Sequence, residues 1–461
     1  MMRSCALAAL ALLSLACGTK AEEGSNEKAG GGGKAAPAPA PPVPPVAAEP
    51  PAAQPASPSS NDDLLKDADR IAGKVSALRG LSIKQPIKRG VMNKEQITER
   101  LLLRVKEDYA PDEIAKEEVA LKRLGLLPPD AAYLDVVIEL LKSQIAGFYD
   151  PSEKQLYLME GSLGMGEPVM AHEIDHALQD QHYDLKKWLE VVKKNADATL
   201  ARQALVEGDG TVLMIEYAQG DAATWGEPEF IQEQASTIRM GLVLMSEVPL
   251  YLRESLVFPY VNGLKFVGHA RATQPWKGVD AIFAKPPLST EHIIHPDKYE
   301  SYERPVEITA AAPASLKKYK RGYDNVVGEM GLWIVLRQHG VAEDVAKTAV
   351  EGWGGDRIAV FTAPGKAGWA GAVAAVYTVW DAPADAEEFA AAAEKALPGL
   401  SGGGSEVSRK AGLVEFKGSD GTIAALERKK DAVLLVIGVL PKGSDALRAQ
   451  MWKGWKVKRP R

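Results

Sequence analysis

Between residues 62 and 299 the apolar positions recur mostly at the spacing of α-helices. In the stretch 131–146 they recur every three or four positions, as on one helix face: Leu134, Val137, Ile138 and Leu141. Asn93 with Gln96 three positions later has the pattern of a capping box, which predicts that a helix begins there and runs through Tyr109. Further helices are predicted at residues 196–218, 228–246 and 250–271. The pattern therefore predicts a mainly helical domain over residues 62–300.

Two regions depart from the helical period. The segments GFYD and QLYLM, separated by the turn PSEK, predict a β-hairpin just before the helix that begins near Pro168. After residue 352 short apolar segments typical of strands alternate with two helical stretches: DRIAVF, GAVAAVYTVW, GLVEFK, TIAALER and AVLLVIGVL. We expect a helical connection over residues 301–351 and a smaller α+β unit over residues 352–461. The predicted fold class is α+β.

The first residues have the pattern of an export signal. A positive residue, Arg3, precedes an apolar run that ends at Ala16, which predicts a signal peptide over residues 1–16. The sequence LSLAC, which ends at Cys17, resembles a bacterial lipobox, in which the cysteine is lipidated and becomes the new N-terminus. Cleavage after Ala16 without lipid is the alternative. Gly18, in place of an aspartate after the cysteine, resembles the pattern for sorting to the outer membrane.

The segment that follows is predicted to be a tether. Residues 17–61 are rich in Gly, Ala and Pro, a composition that cannot bury a core and favours an extended, solvated chain. The chain has two cysteines, and Cys5 lies inside the predicted signal, so the mature protein would keep one thiol, at Cys17, and no internal disulfide. We therefore expect an exported protein that is lipid-anchored to the cell envelope.

The overall charge gives no indication of a polyanionic partner. The formal net charge is -6, the calculated isoelectric point is about 5.8, and both signs of charge are spread along the chain. This balance argues against nucleic acid as a partner.

The stretch EPVMAHEIDHALQDQ contains the sequence His-Glu-x-x-His. Residues four apart on a helix lie on one face, so His172 and His176 can present two imidazoles to one metal ion. Glu173 would lie beside the open coordination position, where a general base is needed. These features predict a zinc site with two histidine ligands. The alternative is an ordinary helix whose two histidines bind no metal.

A catalytic zinc site needs a third protein ligand. Glu207, in ALVEGDG, is the first candidate, because it lies on a second predicted helix among apolar and small residues that would let the two helices approach closely. Asp209 is the second candidate and Glu216 the third. The alternative for Glu207 is a partly exposed helix carboxylate.

This arrangement resembles the gluzincin branch of the zinc metallopeptidases. The resemblance implies that His172, His176 and Glu207 hold Zn²⁺ and that Glu173 is the catalytic base. It also implies that the hairpin binds an extended peptide by main-chain pairing, as an edge strand does in those enzymes. The chain departs from the pattern at Thr211, where many gluzincins have an aspartate that orients the first histidine. Asp180 or Asp209 would serve instead.

A wider resemblance extends over most of the chain beyond the tether. The landmarks are AHEIDHALQDQHYDL, ALVEGDG, FPYVNGLKFV, STEHIIHPDKY and GWGGDR. They resemble an uncharacterised family of exported bacterial and archaeal proteins that contain His-Glu-x-x-His. That resemblance implies a shared architecture and no particular substrate.

Four further residues are candidates for stabilising an oxyanion during catalysis. His292 and His295 are three positions apart in a proline-rich segment, and Tyr149 and Tyr260 lie in the hairpin and in FPYVNG. For the histidines, the alternative is that they only cap and pack a loop.

Three functions fit this sequence. The first is a membrane-tethered, zinc-dependent metallopeptidase that hydrolyses peptide bonds in envelope or extracellular proteins, with peptide or protein as substrate. The second is a binding or scaffold lipoprotein that keeps the fold without turnover. The third is a zinc hydrolase that acts on a non-peptide bond.

Overall fold

The computed structural model describes residues 61–144, 147–160, 166–240, 248–365, 368–440 and 442–460. The predicted signal peptide, Cys17 and the tether up to residue 60 lie outside these residues. Among the described residues, no helix combines the length and the apolar character that crossing a bilayer requires.

The described chain begins with four helices and one strand. In chain order they are α1 (Asn61–Arg79), β1 (Lys88–Met92), α2 (Lys94–Asp108), α3 (Pro111–Arg123) and α4 (Tyr133–Gln144). The predicted capping box is confirmed, because the Asn93 side chain accepts from the Gln96 backbone N–H and the Gln96 side chain accepts from the Asn93 backbone N–H. These two bonds satisfy N–H groups at the start of α2 that have no partner within the helix.

The predicted hairpin is confirmed as two antiparallel strands, β2 (Gly147–Asp150) and β3 (Gln155–Met159). A strand that the sequence analysis did not predict, β1, pairs with β3 in parallel, so that the order in this three-stranded sheet is β1-β3-β2. Within the described chain β3 thus has partners on both sides, and β2 is the hairpin strand that lies at an edge. All four residues of β2 are buried.

Three long helices form the centre of the mainly helical part. They are α5 (Glu167–Tyr183), α7 (Ala196–Gln219) and α9 (Leu250–Thr273), joined through α6 (Leu185–Glu190) and α8 (Pro228–Met240). Helix α7 is buried on all sides from Ala196 through most of its length. It crosses α9 where two glycines face each other, since a Cβ on Gly208 would lie 2.3 Å from the backbone of Gly263. Close helix packing at this point therefore requires glycine.

Short elements connect this region to the C-terminal sheet. They are α10 (Trp276–Ala284), α11 (Thr290–Ile294), α12 (Pro296–Ser301) and β4 (Glu307–Thr309), and then β5 (Lys320–Asn325), α13 (Gly328–Gln338) and α14 (Glu343–Val350). The segment 301–351, predicted as a helical connection, thus contains two helices and also two strands. Strand β5 pairs with the first strand of the C-terminal sheet, so that this sheet begins before residue 352.

The C-terminal part contains a seven-stranded antiparallel sheet in the order β5-β6-β7-β11-β10-β9-β8. Its further elements are β6 (Trp353–Thr362), β7 (Ala372–Trp380), α15 (Pro383–Leu400), β8 (Ser405–Lys410), β9 (Leu413–Lys417), β10 (Thr422–Lys429), β11 (Ala432–Val439), α16 (Asp445–Gly454) and β12 (Lys456–Lys458). Strand β12 pairs with β4. The five strands predicted from the sequence are confirmed, and β8 was missed because its side chains are mostly exposed and polar.

Both faces of this sheet are covered. In β6 and β7, alternate residues belong to two separate apolar clusters: Ile358 and Val360 pack in the larger core, while Ala359 and Phe361 pack in the smaller one. The period of two along a strand explains this division. The molecule is therefore α+β, as predicted, with a larger helical part and a smaller part that contains the sheet.

Candidate metal centre

Helix α5 carries the His-Glu-x-x-His sequence through the protein interior. It begins after Gly166 with Pro168 in its first turn and ends at Asp184, whose φ of 53° stops the helix. Every residue from Val169 to Asp180 is buried. The polar side chains of this helix must therefore find partners inside the fold.

The structure brings together the three side chains predicted as metal ligands. His172 Nε2 lies 3.0 Å from His176 Nε2, and Glu207 Oε2 lies 3.3 Å from each of these nitrogens. Their ligand atoms all lie within 4.8 Å of one another. Two imidazoles and a carboxylate are a ligand set that zinc prefers.

The hydrogen bonds around His176 indicate what the cluster can hold. His176 Nδ1 lies 2.9 Å from Oε1 of Gln179, and this amide oxygen can only accept, so Nδ1 carries the proton when the imidazole is neutral. Its Nε2 then presents a lone pair to the Nε2 of His172 and to the Glu207 carboxylate. Lone pairs that face each other at 3.0 to 3.3 Å repel unless a proton or a metal cation lies between them. The residues present therefore fit a divalent metal ion.

The amide of Gln179 is itself held in place. Its Nε2 donates to Asp175 Oδ2 at 2.9 Å and to the carbonyl of Val206 at 3.2 Å. Because Val206 precedes Glu207, one side chain links the second histidine on α5 to the backbone beside the carboxylate on α7. Burial and the charge of Asp209 raise the pKa of Asp175 well above its usual value, so Asp175 can be neutral here.

A glycine on α7 makes room for both imidazoles. A Cβ on Gly210 would lie 2.8 Å from His172 Nδ1, 2.9 Å from His172 Cε1 and 3.3 Å from His176 Cε1. The expectation that small residues near Glu207 allow the helices to approach closely is confirmed. Gly210 allows α7 to approach α5, and Gly208 allows it to approach α9.

Glu173 lies beside the cluster and is fully buried. Its Oε2 accepts a hydrogen bond of 3.1 Å from the backbone N–H of Tyr149 in β2, and within the described residues Oε1 has no partner. Burial raises the pKa of Glu173 to about 8, although the charge of His176 lowers it. A carboxylate with a pKa near neutrality can both take up and release a proton, as a general base must.

The ligand side chains also have shifted pKa values in the absence of a metal. Burial acts to lower the pKa of His176, but the charge of Glu207 and hydrogen bonds raise it to about 10. Burial acts to raise the pKa of Glu207, but the charge of His176 and bonds to both histidines hold it at about 2. Burial and the charge of His176 lower the pKa of His172. Without a cation, one proton on His176 would therefore partly neutralise the carboxylate.

The other acidic candidates have different roles. Asp209 forms a buried ion pair with Arg79, at 2.8 Å, and Glu216 accepts from the indole N–H groups of Trp225 and Trp276. Asp180, proposed to orient a histidine, instead accepts from the Tyr149 hydroxyl at 2.9 Å. Neither Asp209 nor Glu216 belongs to the cluster that the structure forms.

Thr211 and Asp180, the positions considered for orienting the first histidine, have other contacts. Thr211 donates its hydroxyl to the carbonyl of Glu207 at 2.6 Å, so it contacts the ligand's backbone and not a histidine. The Leu185 backbone N–H donates to Asp180 Oδ1 at 2.9 Å. Gln179, and neither of these two residues, contacts the Nδ1 atom of His176.

The four oxyanion candidates lie in different places. The ring of Tyr260 stacks near that of His172, with centroids 6.1 Å apart, and Tyr149 contacts Glu173 through its backbone. His292 has both ring nitrogens beside backbone groups of its own loop, the Glu303 carbonyl at 2.6 Å and the Leu288 N–H at 3.4 Å. His295 pairs with Glu329 at 2.9 Å. The structure does not bring either of these histidines into the cluster.

Sequence reasoning missed Gln179, Gly210 and Arg79. A signal for Gln179 was present, because a residue three positions after His176 on a helix lies next to it. Gly210 lies three positions after Glu207 and therefore shares its helix face. No local signal related Arg79 to Asp209, since 130 positions separate them.

Comparison with known proteins bears on the C-terminal part. Residues 317–448 match a family model described as a domain of unknown function (DUF8575). No curated protein and no solved structure matches the chain. The matched stretch contains the large sheet and leaves α5 and Glu207 outside it, so the match does not extend to the metal cluster.

Proposed function

We propose that this protein is a zinc-dependent metallopeptidase of the gluzincin type that is exported and tethered to the cell envelope through a lipid on Cys17. The observation that carries the proposal is the convergence of His172 Nε2, His176 Nε2 and Glu207 Oε2 within 3.3 Å of one another, with Glu173 adjacent. The Zn²⁺ would be held by these three side chains. The zincin-like identity of the fold belongs to the same proposal.

Zinc in such a site acts as a Lewis acid and lowers the pKa of a water molecule that it binds. Glu173 would take a proton from the attacking water and would later deliver it to the amine that leaves when the peptide bond breaks. Its buried position beside the ligand side chains suits both steps. The Tyr149 N–H holds one oxygen of this carboxylate, so that the other oxygen remains for the proton.

The depth of the site limits which substrates can reach it. His172 and Glu173 are 0% exposed, Glu207 is 2% exposed and His176 is 6% exposed. A peptide therefore reaches these side chains only when the groups around them move apart. An extended peptide needs a narrower opening than a folded protein, so we expect unfolded polypeptides to be cleaved in preference to folded ones.

The proposal is tested by metal analysis and peptidase assays on the purified protein, with Glu173→Gln compared to wild type. We expect both proteins to contain about one zinc per chain. Wild type should cleave unfolded casein, and Glu173→Gln should cleave it 10²- to 10⁴-fold more slowly, because it lacks the general base. Glu254→Gln is the matched control, since Glu254 is a buried glutamate outside the cluster.

The other outcomes separate the alternatives. Zinc in both proteins with no hydrolysis of any substrate would indicate a scaffold lipoprotein. Hydrolysis of esters without cleavage of peptides would indicate a hydrolase of non-peptide bonds. A protein that takes up no zinc would refute both functions that depend on the metal, the peptidase and the hydrolase of non-peptide bonds. For the anchor, labelling cells with a radioactive fatty acid should mark wild type and leave Cys17→Ser unlabelled.

A further inference from the structure

A cleft of about 520 Å³ lies between the helical part and the C-terminal part of the molecule. Residues at the end of α3 and the start of α9 line one side, and residues of the C-terminal part, among them Trp369 and Asp420, line the other. Ligand sites form preferentially at such boundaries, and this volume lies in the range of small-molecule pockets. The residues of the metal cluster do not line this cleft.

Arg123 is the unusual residue of this cleft. It lines the cleft although it is only 4% exposed, and its Nη2 donates to the carbonyls of Trp369 at 2.7 Å and Ala370 at 3.1 Å. Its Nε has no hydrogen-bond partner among the described residues. A buried guanidinium donor without a partner is costly, and a ligand that accepts from it after a shift of the side chain toward the cleft would remove that cost.

Among the described residues, no carboxylate is bonded to Arg123. The nearby Asp420 directs its oxygens to Thr422, accepting from the backbone N–H at 2.8 Å and from the hydroxyl at 2.8 Å. Burial lowers the pKa of Arg123 although the charge of Asp420 raises it. An arginine stays charged under these conditions, so an anion is the acceptor that suits it best.

The other cations and the apolar wall of the cleft define the ligand further. Lys122 and Arg253 also line the cleft; Lys122 bonds Glu118 at 2.8 Å, whereas Arg253 lies 3.8 Å from Glu254, beyond hydrogen-bond distance. Leu127 and Leu250 supply apolar surface beside them. Of these three cations, Lys122 and Arg253 have a carboxylate within 4.0 Å. The ligand that best matches the cleft therefore carries a single negative charge on an apolar body.

We propose that this cleft binds the carboxylate of a small ligand with an apolar body, of the kind found at the C-terminus of an apolar peptide, and that Arg123 is the residue that recognises the carboxylate. When the Arg123 side chain shifts toward the cleft, its Nε–H donates to one carboxylate oxygen, and Arg253 supports the charge electrostatically. This inference does not depend on the proposed peptidase activity, because the cleft and the metal cluster share no residue.

The test is a calorimetric titration with N-acetyl-leucyl-leucine and with its C-terminal amide. The protein is the full chain with Glu173→Gln, so that the probe is not hydrolysed. A hydrogen bond to a charged group contributes about 1.5 to 3 kcal/mol, so we expect the carboxylate form to bind at least about tenfold more tightly than the amide. Arg123→Lys and Arg253→Gln should each reduce this preference. Lys395→Gln, at an exposed lysine outside the cleft, is the control and should leave it unchanged.

Arg123 also joins α3 to the turn that contains Trp369, so its substitution could destabilise the protein. Arg253→Gln separates a loss of ligand binding from a loss of stability. Among the described residues, Arg253 makes only a weak contact of 3.8 Å with Glu254. A thermal unfolding curve for each variant shows whether the fold is kept. The inference is overturned if the amide binds as well as the carboxylate, if neither binds at millimolar concentration, or if a folded Arg253→Gln keeps the full preference.

Discussion

Arg79 and Asp209 form a fully buried ion pair that connects the first described helix to the helix that carries Glu207. Arg79 Nε lies 2.8 Å from Asp209 Oδ1, Nη2 lies 3.0 Å from Oδ2, and both side chains are 0% exposed. The guanidinium also lies 4.5 Å from the ring centre of Trp276. Because Asp209 is two positions from Glu207, this pair fixes α7 next to the metal cluster and connects it to the helix that follows the tether.

Removing one partner of this pair should destabilise the fold strongly. Arg79→Met leaves the Asp209 charge buried and uncompensated, and we expect a loss of about 3 to 5 kcal/mol in the free energy of unfolding by urea. The double variant Arg79→Met with Asp209→Asn should recover much of this loss, since it buries no charge. Arg89→Met, which breaks the more exposed pair with Asp69, should cost less than about 1 kcal/mol. Equal losses for the Arg79 and Arg89 variants would contradict this account.

The two glycines near Glu207 should respond differently to substitution by alanine. In Gly210→Ala the new Cβ would lie 2.8 Å from the His172 ring, so it should displace the imidazole and weaken zinc binding measured by competition with a chelator. In Gly208→Ala it would lie 2.3 Å from the backbone of Gly263, which cannot yield, and we expect a loss of stability of about 1 to 3 kcal/mol or more. A Gly210→Ala protein with unchanged zinc affinity would show that His172 does not hold the metal in this position.

Gln179 should contribute to metal affinity in addition to its contribution to the stability of the fold. Gln179→Leu removes the acceptor that fixes the protonated nitrogen of His176, and loss of such a partner typically reduces metal affinity 10- to 100-fold. Gln179→Glu keeps an acceptor at that position and should retain more of the affinity. Gln232→Leu, at an exposed glutamine on α8, should have no effect. Identical zinc dissociation constants for wild type and Gln179→Leu would rule out this role.

The buried Asp197 should make stability depend on pH in the direction opposite to ordinary acid denaturation. Burial raises its pKa from 3.8 to about 7, in spite of hydrogen bonds from Thr290. Between these two values the folded protein keeps a proton that the unfolded chain has lost, so this group stabilises the fold at low pH and its contribution is lost as the pH rises through 7. The slope approaches about 1.4 kcal/mol per pH unit for one full proton.

Asp197→Asn tests this dependence, because asparagine stays neutral across the range. Urea unfolding at pH 4.5 and pH 7, with a chelator present throughout, should show a smaller fall in stability for the variant than for wild type. Asp135→Asn is the control, since Asp135 is exposed and on the surface of α4. If both variants behaved as wild type does, the Asp197 carboxyl would not be protonated in the folded protein.

Features that depend on neighbouring positions were predictable from the sequence. The Asn93 capping box, the hairpin turn after Asp150 and the long helices followed from local hydrogen bonding and from the period of the apolar residues. The pairing of His172 with His176 needed only the four-residue repeat of a helix. The prediction that Glu207 is a ligand required a further assumption, namely that a second helix approaches closely. The small residues around Glu207 indicated that approach.

Features that depend on long-range packing were not predictable in this way. Strand β1 pairs with β3 across more than sixty positions, and this places β3 inside its sheet, where the sequence had indicated only a hairpin. The ring nitrogens of His292 contact nearby backbone groups. From the sequence, an imidazole at this position also suited a catalytic role. The full burial of α5 was not predictable either, because a helix with many charged and polar residues normally faces water.

The sequence by itself determined the local elements, the α+β class and the set of residues able to bind a metal, because these depend on residue type and on spacing within one helix or hairpin. Only the tertiary structure decided that Glu207 joins the two histidines, while Asp209 pairs with Arg79 and Gln179 holds His176. The physical reason is that a buried polar group must find its partner wherever the packed elements place one, and sequence separation carries no information about that distance.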